Sequence, residues 1–261
     1  MNRLLFALLP WIVGLVFLAF WEILVRALDV PRFVLPSPSL IAAALISDFP
    51  QLFEALLETL KVTLLAFGTS FVGGVALAVL FSQSRLVERS LLPYAVVLQV
   101  TPIVSIAPLI VIWVGVDNVE RAVFVLATIV AFFPILSNAT LGLRSVDPGL
   151  VDLFRLYRAG RRQRLWLLQL PSALPALLAG ARISAGLALI GTVVAEFVAG
   201  SGEASGLAWR IDEAGHRLEI PQMFAGLLLL SLAGLALNAL VAAIERHLLR
   251  NWHAGHVARE G

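Results

Sequence analysis

Six long apolar stretches constrain the fold of this chain more than any other feature of its sequence. Each has more than 20 residues, which at about 1.5 Å per helical residue is enough to cross a hydrocarbon layer of about 30 Å. Charged residues make up only 14% of the 261 positions, against about 25% in a soluble domain. The stretches are 4–24, 60–81, 91–114, 122–143, 176–198 and 223–244. The sequence therefore predicts an all-α polytopic membrane protein with about six transmembrane helices, organised as a single domain over residues 1–261.

The segments between these stretches carry most of the prolines and charges. The first stretch lacks a convincing small-residue cleavage site, so it is interpreted as an uncleaved span and not as a signal peptide. The predicted breaks and connections are a proline-rich segment 31–38, an interfacial segment 39–57, a polar turn at Arg85 and Arg89, interruptions at Pro102 and Pro108, a polar turn 117–121 and a polar loop 200–222.

Residues 144–175 form the longest basic interruption of the apolar sequence. Its six arginines are Arg144, Arg155, Arg158, Arg161, Arg162 and Arg164. Apolar residues among them follow helical spacings of three and four residues, which predicts a short amphipathic helix. These residues are Leu150, Leu153, Phe154 and Tyr157. A helix of this kind either lies on the lipid surface or binds in a groove of a cytoplasmic protein.

The distribution of positive charge predicts the orientation of the chain. Six spans place both termini on one side of the membrane. If that side is the cytoplasm, it holds twelve of the nineteen arginine and lysine residues, the opposite side holds six, and Arg182 lies within a span. Cytoplasmic loops carry the excess of positive charge in membrane proteins. Both termini are therefore expected in the cytoplasm. The net charge of +2 gives no reason to expect a nucleic-acid partner.

Four short strings occur in order along the chain: LPSP at 35–38, TPIVSIAPLIVIWVG at 101–115, FFPI at 132–135 and LPSALP at 170–175. Their order and spacing resemble the permease subunit of bacterial ABC importers. Within the binding-protein-dependent transport family, the likeness is to the nitrate, sulfonate and taurine branch. The resemblance extends over about residues 35–250.

This resemblance implies a bacterial inner-membrane protein with three partners besides the lipid bilayer. They are a cytoplasmic ABC ATPase that binds ATP and Mg²⁺, an extracytoplasmic solute-binding protein, and a second permease copy, most simply in a homodimer. The chain has no G-x-x-x-x-G-K-[ST] phosphate loop, so ATP hydrolysis is expected on the separate subunit and no cofactor on this chain. The implied solute is a sulfonate- or nitrate-like anion. A neutral heterocycle, a thiamine-precursor pyrimidine or riboflavin, is the alternative.

The same family carries a cytoplasmic signature that couples the permease to its ATPase. The motif is Glu-Ala-Ala, three residues, Gly, and then a fixed interval to Leu-Pro. Counting back from residues 170–171 places Asp152, Leu153 and Phe154 on the Glu-Ala-Ala positions and Arg158 on the glycine position. Either Gly160 makes the turn two residues late, or the helix continues. The resemblance implies an ATPase-docking set of Asp152, Leu153, Phe154, Arg155, Tyr157, Arg158 and Gly160.

Polar residues inside or beside the spans are candidates for the translocation pathway. They are Gln99, Thr101, Ser105, Asn138, Ser184, Thr192 and Glu196. An ionisable residue in a span is a functional candidate by default, yet a hydrogen bond to a neighbouring helix is an equal interpretation of Glu196. Small or polar residues recur every four positions from Ala176 to Glu196, which favours packing against a crossing helix. Arg182 is interpreted as snorkelling or pairing with backbone carbonyls, ahead of contact with the solute.

Other classes of function lack their motifs. The sequence has neither G-x-S-x-G nor H-E-x-x-H, which argues against an intramembrane hydrolase. It has no cysteine, and His216, His253 and His256 do not have the spacing of metal ligands, so no metal site is expected. An ATP-independent secondary carrier is the less favoured alternative, because such carriers are more often longer and show two related halves.

Overall fold

The computed structural model describes residues 2–115, 118–199 and 206–250, which are helical with short connections and contain no strand. The helices are α1 (Asn2–Ala27), α2 (Pro38–Ser47), α3 (Phe49–Gln83), α4 (Arg85–Val100), α5 (Ile103–Val114), α6 (Val119–Arg144), α7 (Pro148–Leu156), α8 (Arg161–Arg164), α9 (Leu170–Ala199), α10 (Leu207–His216) and α11 (Ile220–Leu249). A π-helical turn, Leu165–Gln169, joins α8 to α9.

The helices long and apolar enough to cross a membrane match the predicted number of spans. Within the described residues there are five such helices, or six if the bent pair α4 and α5 counts as one span. The five are Leu8–Ala27, Phe49–Gln83, Val119–Arg144, Arg161–Ala199 and Ile220–Leu249. The prediction of an all-α polytopic membrane protein is confirmed.

The third predicted span, 91–114, is interrupted at Pro102 as predicted, but not at Pro108. Helices α4 and α5 meet at an angle of 104°. Thr101 is extended at φ −71° and ψ 123°, because the ring of Pro102 disfavours the helical conformation in the preceding residue. Pro108 lies inside α5 and does not interrupt it. The freed carbonyl of an internal proline in a membrane helix is commonly satisfied by neighbouring groups.

Two predicted connections also differ from the structure. Arg85 and Arg89 lie in the first two turns of α4, and not in a polar turn, because Ser84 caps this helix by accepting from the Val87 amide at 3.4 Å. The predicted interfacial segment 39–57 is helical, in α2 and the start of α3 with Asp48 between them, and its position at the interface stays a prediction. The described part of the predicted loop 200–222 contains α10.

Helix α10 was not predicted from the sequence because its composition is polar. Leu207, Ala208, Ile211 and Ala214 are its buried residues, and they follow the spacing of one helical face. A Cβ added at Gly226 of α11 would lie 2.7 Å from Ile211 Cγ1. The glycine therefore allows α11 to approach the buried face of α10 closely.

The chain divides into two compact units, and the prediction of a single domain stays a prediction. The first unit comprises residues 1–58 and 205–232. Within it, the Ser39 amide and hydroxyl donate to the Glu22 carboxylate at 3.0 and 2.8 Å, which joins α2 to α1. Trp21 of α1 packs edge to face on Phe224 of α11, with ring centroids 6.1 Å apart.

The second unit comprises residues 59–204 and 233–261, and the pair α6 and α9 lies at its centre. Glycines bring these two helices together along their length. A Cβ added at Gly142 would lie 2.9 Å from Ala176 Cβ, and one at Gly191 would lie 3.1 Å from Ala127 Cα. The small-residue spacing of the fifth apolar stretch thus corresponds to close helix packing. Helix α9 begins at Leu170, six residues before the predicted start of that span at Ala176.

Candidate functional site

Helix α7 is a short amphipathic helix between the two long helices of the central pair. Asp147 caps its N-terminus by accepting from the Gly149 amide at 2.7 Å, and Pro148 occupies the first turn. Its apolar side chains are exposed: Leu150 and Leu153 by 44% each and Leu156 by 81%, and Tyr157, which directly follows the helix, by 80%. The predicted helix over these residues is therefore present, and its apolar face is open to a partner. Phe154 is half-buried.

The turn after α7 contradicts both alternatives derived from the sequence. Gly160 does not make the turn, because its φ is −66°, and the helix does not continue past Tyr157. Arg158 itself takes a left-handed conformation with φ 52°. The Arg158 amide donates to Arg155 O at 2.9 Å, and the Ala159 amide donates to Phe154 O at 2.9 Å.

These two hydrogen bonds form a Schellman motif, in which the residue in the left-handed conformation is usually glycine. An arginine there carries a backbone cost of about 1–2 kcal/mol. The same motif, without glycine, ends α1 at Asp29 and α10 at Leu218. The chain thus makes the turn at the position where the family signature has glycine, and it presents a guanidinium group there.

Beyond the turn, Gly160 starts the next helix. Its amide donates to Gln163 Oε1 at 2.9 Å, which satisfies one donor at the N-terminus of α8. Helix α8, the π-helical turn and α9 together form one candidate span, Arg161–Ala199. The π-helical turn ends two positions before Pro171, which has no amide to donate to the preceding turn. α7 is therefore separated from a continuous helix of 39 residues by one tight turn.

The charges on α7 are exposed. Arg155 pairs with Asp152 at 3.0 Å, with exposed fractions of 71% and 66% for the two side chains. An exposed pair of this kind contributes about 0–1 kcal/mol to stability. Either side chain can therefore leave this pair and form an ion pair with a charged group of another protein. Arg144, at the end of α6, pairs with Glu88 of α4. That pair joins the start of the α7 region to the first turn of α4.

A buried hydroxyl and carboxylate network surrounds Glu196. The Thr59 hydroxyl donates to the Glu196 carboxylate at 2.8 Å from Oε1 and 3.2 Å from Oε2. The Thr63 hydroxyl contacts Thr192 Oγ1 at 3.1 Å and Thr59 O at 2.8 Å, and the Thr192 hydroxyl donates to Ala188 O at 2.9 Å. All four side chains of the network are buried, Glu196 to 4% exposure. The network joins α3 to α9.

Thr59 and Thr63 of this network were not among the candidates predicted from the sequence. Two hydroxyl residues four positions apart at the start of an apolar stretch share one helical face, and that spacing was the available signal. The hydrogen bond from a neighbouring helix to Glu196 is one of the two interpretations given above. A pathway role for Glu196 and Thr192 stays a prediction.

Two other pathway candidates lie together between α6 and α9. Ser184 is fully buried and donates to Ala131 O at 2.6 Å. Asn138 donates from Nδ2 to Pro134 O at 2.8 Å, and its Cβ lies 2.7 Å from the position of a Cβ added at Gly180. Both side chains therefore bind across or along the central helix pair.

The remaining candidates lie at the break between α4 and α5. Gln99 and Ser105 are exposed, and the Thr101 hydroxyl donates to Val97 O at 2.7 Å. They belong to a different helix pair from Asn138 and Ser184. The structure thus places the seven candidates at three locations, and their role in transport stays a prediction.

Comparison with known proteins identifies the family. The family described as "Binding-protein-dependent transport system inner membrane component" matches residues 70–252. The chain belongs to this family. It is a permease subunit of a binding-protein-dependent ABC importer, a multi-pass protein of the inner membrane, in a family whose ATPase is a separate subunit.

Relatives of the permease extend over nearly the whole chain. It is 34% identical to the riboflavin transport system permease protein of Chloroflexus aurantiacus, over 91% of this chain and 87% of that protein. It is also 34% identical to the formylaminopyrimidine transport permease protein of Halalkalibacterium halodurans, over 95% and 98%. Identity is 30% to a putative aliphatic sulfonates transport permease protein of Bacillus subtilis, over 92% and 87%.

A solved structure shares the fold of the permease. The MetNI methionine ABC transporter, in an inward-facing conformation, contains a chain that aligns with a TM-score of 0.66 and 21% identity. The alignment covers 77% of the permease and 97% of that chain.

Arg182 of the permease pairs with side chains of α11. Its Nε donates to Asn238 Oδ1 at 3.3 Å, and its Nη1 lies 3.7 Å from Glu245 Oε2. These polar side chains take the place of the backbone carbonyls that were one of the two interpretations of Arg182, and snorkelling stays a prediction. Among the described residues of the permease, no group of three or more histidines, aspartates and glutamates is placed to hold a metal ion.

Proposed function

We propose that α7 is the coupling helix through which a cytoplasmic ATPase subunit moves this permease. The observation that carries the proposal is the exposed apolar face of α7, with Leu153, Leu156 and Tyr157 open beside Arg155 and Arg158. Apolar anchors surrounded by charged groups are typical of a helix that binds in a protein groove.

The connections of α7 suit it to transmit movement. Three residues separate the end of α6 from the start of α7, and four residues separate the end of α7 from the start of α8. The Schellman turn at Arg158 is held by two backbone hydrogen bonds of 2.9 Å. Because α6 and the continuous helix Arg161–Ala199 are long and packed on each other, a displacement of α7 acts on both as a rigid-body movement.

The proposal assigns ATP and Mg²⁺ to the ATPase subunit and places both termini of the permease in the cytoplasm. The excess of arginine on the side that carries α7 supports this orientation. A second permease copy completes the pore, most simply as a homodimer, and an extracytoplasmic binding protein delivers the solute.

We propose a small solute of one of two classes. A sulfonate- or nitrate-like anion is the first candidate, supported by the sulfonate permease among the relatives. A neutral heterocycle is the second candidate, because the relatives named for riboflavin and formylaminopyrimidine have the higher identity of 34%. Uptake of a labelled alkyl sulfonate and a labelled pyrimidine by cells expressing the complete importer distinguishes the two classes.

The coupling proposal is tested by replacing Phe154 with aspartate. Loss of an anchor of this kind commonly costs about 2 kcal/mol or more, or about thirtyfold in affinity, and the added charge would have to be buried in the groove. The Phe154→Asp permease should insert in the membrane but lose the ATPase on purification in detergent.

A Phe33→Asp variant is the matched control for that experiment. Phe33 is 57% exposed and lies in the connection between α1 and α2, in the first unit, whereas α7 belongs to the second unit. This variant should retain the ATPase. Full ATPase recovery and full uptake with Phe154→Asp would contradict the coupling proposal.

A further inference from the structure

A groove in the second unit, where α3 ends and α4 begins, carries more positive charge than the permease itself pairs. It has a volume of about 640 Å³. Its lining includes Phe81 from α3, Arg85, Glu88, Arg89 and Leu92 from α4, and Arg144 from α6. The four residues from α4 follow helical spacings of three and four, so they form one face of that helix. Three arginines therefore share the groove with one carboxylate.

Two of these arginines lack an internal partner. Arg144 pairs with Glu88, whose side chain is only 14% exposed, so this pair is complete. Arg85 and Arg89 are exposed, and in the part of the chain that the structure describes neither side chain forms an ion pair or a hydrogen bond. The groove thus holds two uncompensated positive charges beside one ion pair.

The positions of Arg85 and Arg89 are unfavourable for the permease alone. They lie four residues apart on one face of α4, a spacing at which like charges repel. Arg85 is also the first residue of α4, where the partial positive charge of a helix N-terminus disfavours a cation. Orientation in the membrane needs arginines on this side, but it does not need two of them one turn apart in a groove. An anionic partner would relieve both unfavourable effects.

The groove is fixed to the two helices that flank α7. The Gln83 side chain donates to Gln169 Oε1, and the Gln169 side chain donates to Leu143 O, both at 3.4 Å. Phe81 packs in one buried apolar cluster with Leu143 of α6 and Ala173 of α9. A protein bound in the groove would therefore act on the same helix pair as α7.

The groove lies close to α7 along the chain. Arg144 lines the groove and Pro148 starts α7, so the four residues between these positions limit the separation to about 14 Å. A standard protein interface buries about 800 Å² on each partner, a patch roughly 30 Å across. An interface of this size centred on α7 is wide enough to include the groove.

The lining favours protein carboxylates over a phospholipid. Of its two apolar residues, Phe81 is 1% exposed and Leu92 is 37% exposed, so the lining offers little surface to acyl chains. Guanidinium groups form paired hydrogen bonds with carboxylates. Arginines four residues apart on a helix have Cβ atoms about 5–6 Å apart, and two acidic residues with the same spacing on a partner helix would match them.

We propose that this groove is a second docking site for the ATPase subunit, where Arg85 and Arg89 bind two carboxylates of an acidic segment of that subunit. The inference rests on the proposed role of α7 as the coupling helix, because that role brings the ATPase to this end of the permease. Charges at the rim of an interface increase the rate of association and make binding sensitive to salt. The second contact lets movement of the ATPase reach α4 as well as α6 and α9.

The test compares the affinity of the purified ATPase subunit for the full-length permease and for its variants, in detergent at low salt. A variant with both Arg85→Gln and Arg89→Gln should bind the ATPase about fivefold to tenfold more weakly, because two exposed ion pairs are lost. A variant with both Arg85→Lys and Arg89→Lys keeps the charges and should bind within about threefold of the parent. High salt should reduce the difference between the parent and the glutamine variant, because salt screens exposed charges.

A matched control removes the same charge elsewhere. Arg32→Gln and Arg121→Gln, combined in one variant, change two exposed arginines, and Arg121 lies in the first turn of α6, at the opposite end of that helix from Arg144. This control should bind the ATPase as the parent does. Equal weakening in the control and in the glutamine variant of the groove would overturn the proposal.

Thermal unfolding of the permease alone separates docking from packing. The glutamine variant of the groove should unfold at or above the temperature of the parent, because it removes a like-charge pair and a cation at a helix N-terminus. A lower unfolding temperature would assign Arg85 and Arg89 to packing and would overturn the proposal.

Phe154→Asp, measured alongside, distinguishes this proposal from that of the coupling helix. Loss of the ATPase in Phe154→Asp, with parental affinity in the glutamine variant of the groove, would overturn only the second docking site. Parental affinity in Phe154→Asp, with weaker binding in the groove variant, would contradict the coupling helix and support the groove. Phosphatidylglycerol binding that falls in the groove variant while ATPase affinity stays unchanged would assign the groove to a lipid and overturn the proposal.

Discussion

The close approach of α6 and α9 predicts opposite effects for two glycine substitutions in the same helix. Gly180→Ala would place a Cβ 2.7 Å from Asn138 Cβ and 3.1 Å from Pro134 O. Neither atom is the end of a flexible side chain, and Asn138 is also held by its hydrogen bond to Pro134 O. Real Cβ contacts are essentially never shorter than 3.0 Å, so the helices must separate.

Two opposing contributions determine the change in the free energy of unfolding. Adding a methyl group to a packed interface lowers the stability by about 1–3 kcal/mol. Replacing glycine by alanine in a helix raises the stability by about 0.5–1 kcal/mol. At Gly186, also in α9, a Cβ would meet nothing within 4 Å, so only the second contribution applies. Gly180→Ala should therefore be less stable than Gly186→Ala by about 1–3 kcal/mol.

Thermal unfolding of the two purified variants in detergent measures this difference. At about 2–4 °C per kcal/mol for a chain of this size, Gly180→Ala should unfold several degrees below Gly186→Ala, and Gly186→Ala at or above the parent protein. Equal midpoints for the two variants would refute the packing of α6 on α9 described here.

Three other positions give predictions of different kinds. Thr59→Val should destabilise the permease by about 1.5–3 kcal/mol in chemical unfolding, because it removes a donor to a buried carboxylate, whereas Thr59→Ser should retain most of the stability; equal loss in both would contradict the hydrogen bond. Glu196→Gln should reduce uptake while assembly and ATP hydrolysis persist, and unchanged uptake would remove Glu196 from the pathway. Arg158→Gly should keep or raise the unfolding temperature, because glycine adopts φ 52° without strain, whereas Arg158→Val should lower it; the reverse order would contradict the left-handed turn.

The sequence predicts the membrane helices well because each depends on a single property, about 20 consecutive apolar residues. It predicts α7 for a similar reason, since apolar and basic residues alternate there with helical spacing. Helix α10 was missed because its apolar face is carried by only four residues among charged neighbours. Its burial depends on the approach of Gly226 in the following helix, which the spacing within α10 does not indicate.

Local backbone strain and contacts between residues far apart in sequence account for the other features that the sequence does not predict. Counting positions places Arg158 where the signature has glycine, but the count does not show that tertiary structure holds an arginine in the left-handed conformation. Pro102 and Pro108 are equivalent in sequence, yet only the residue before Pro102 leaves the helix. Thr59 reaches Glu196 across 137 positions, and no pattern within either helix indicates that pairing.

Crosslinking from α7 to the ATPase subunit tests the central claim most directly. The chain has no cysteine, so Tyr157→Cys introduces a single reactive thiol on the exposed end of α7, and Asn118→Cys provides a control at the start of α6. In membranes containing the complete importer, a short crosslinker that reacts with a thiol at one end and with a neighbouring protein at the other should join Tyr157→Cys to the ATPase subunit. The same reagent should not join Asn118→Cys to the ATPase subunit. Labelling of Tyr157→Cys from outside intact cells, with no crosslink to the ATPase, would contradict the account.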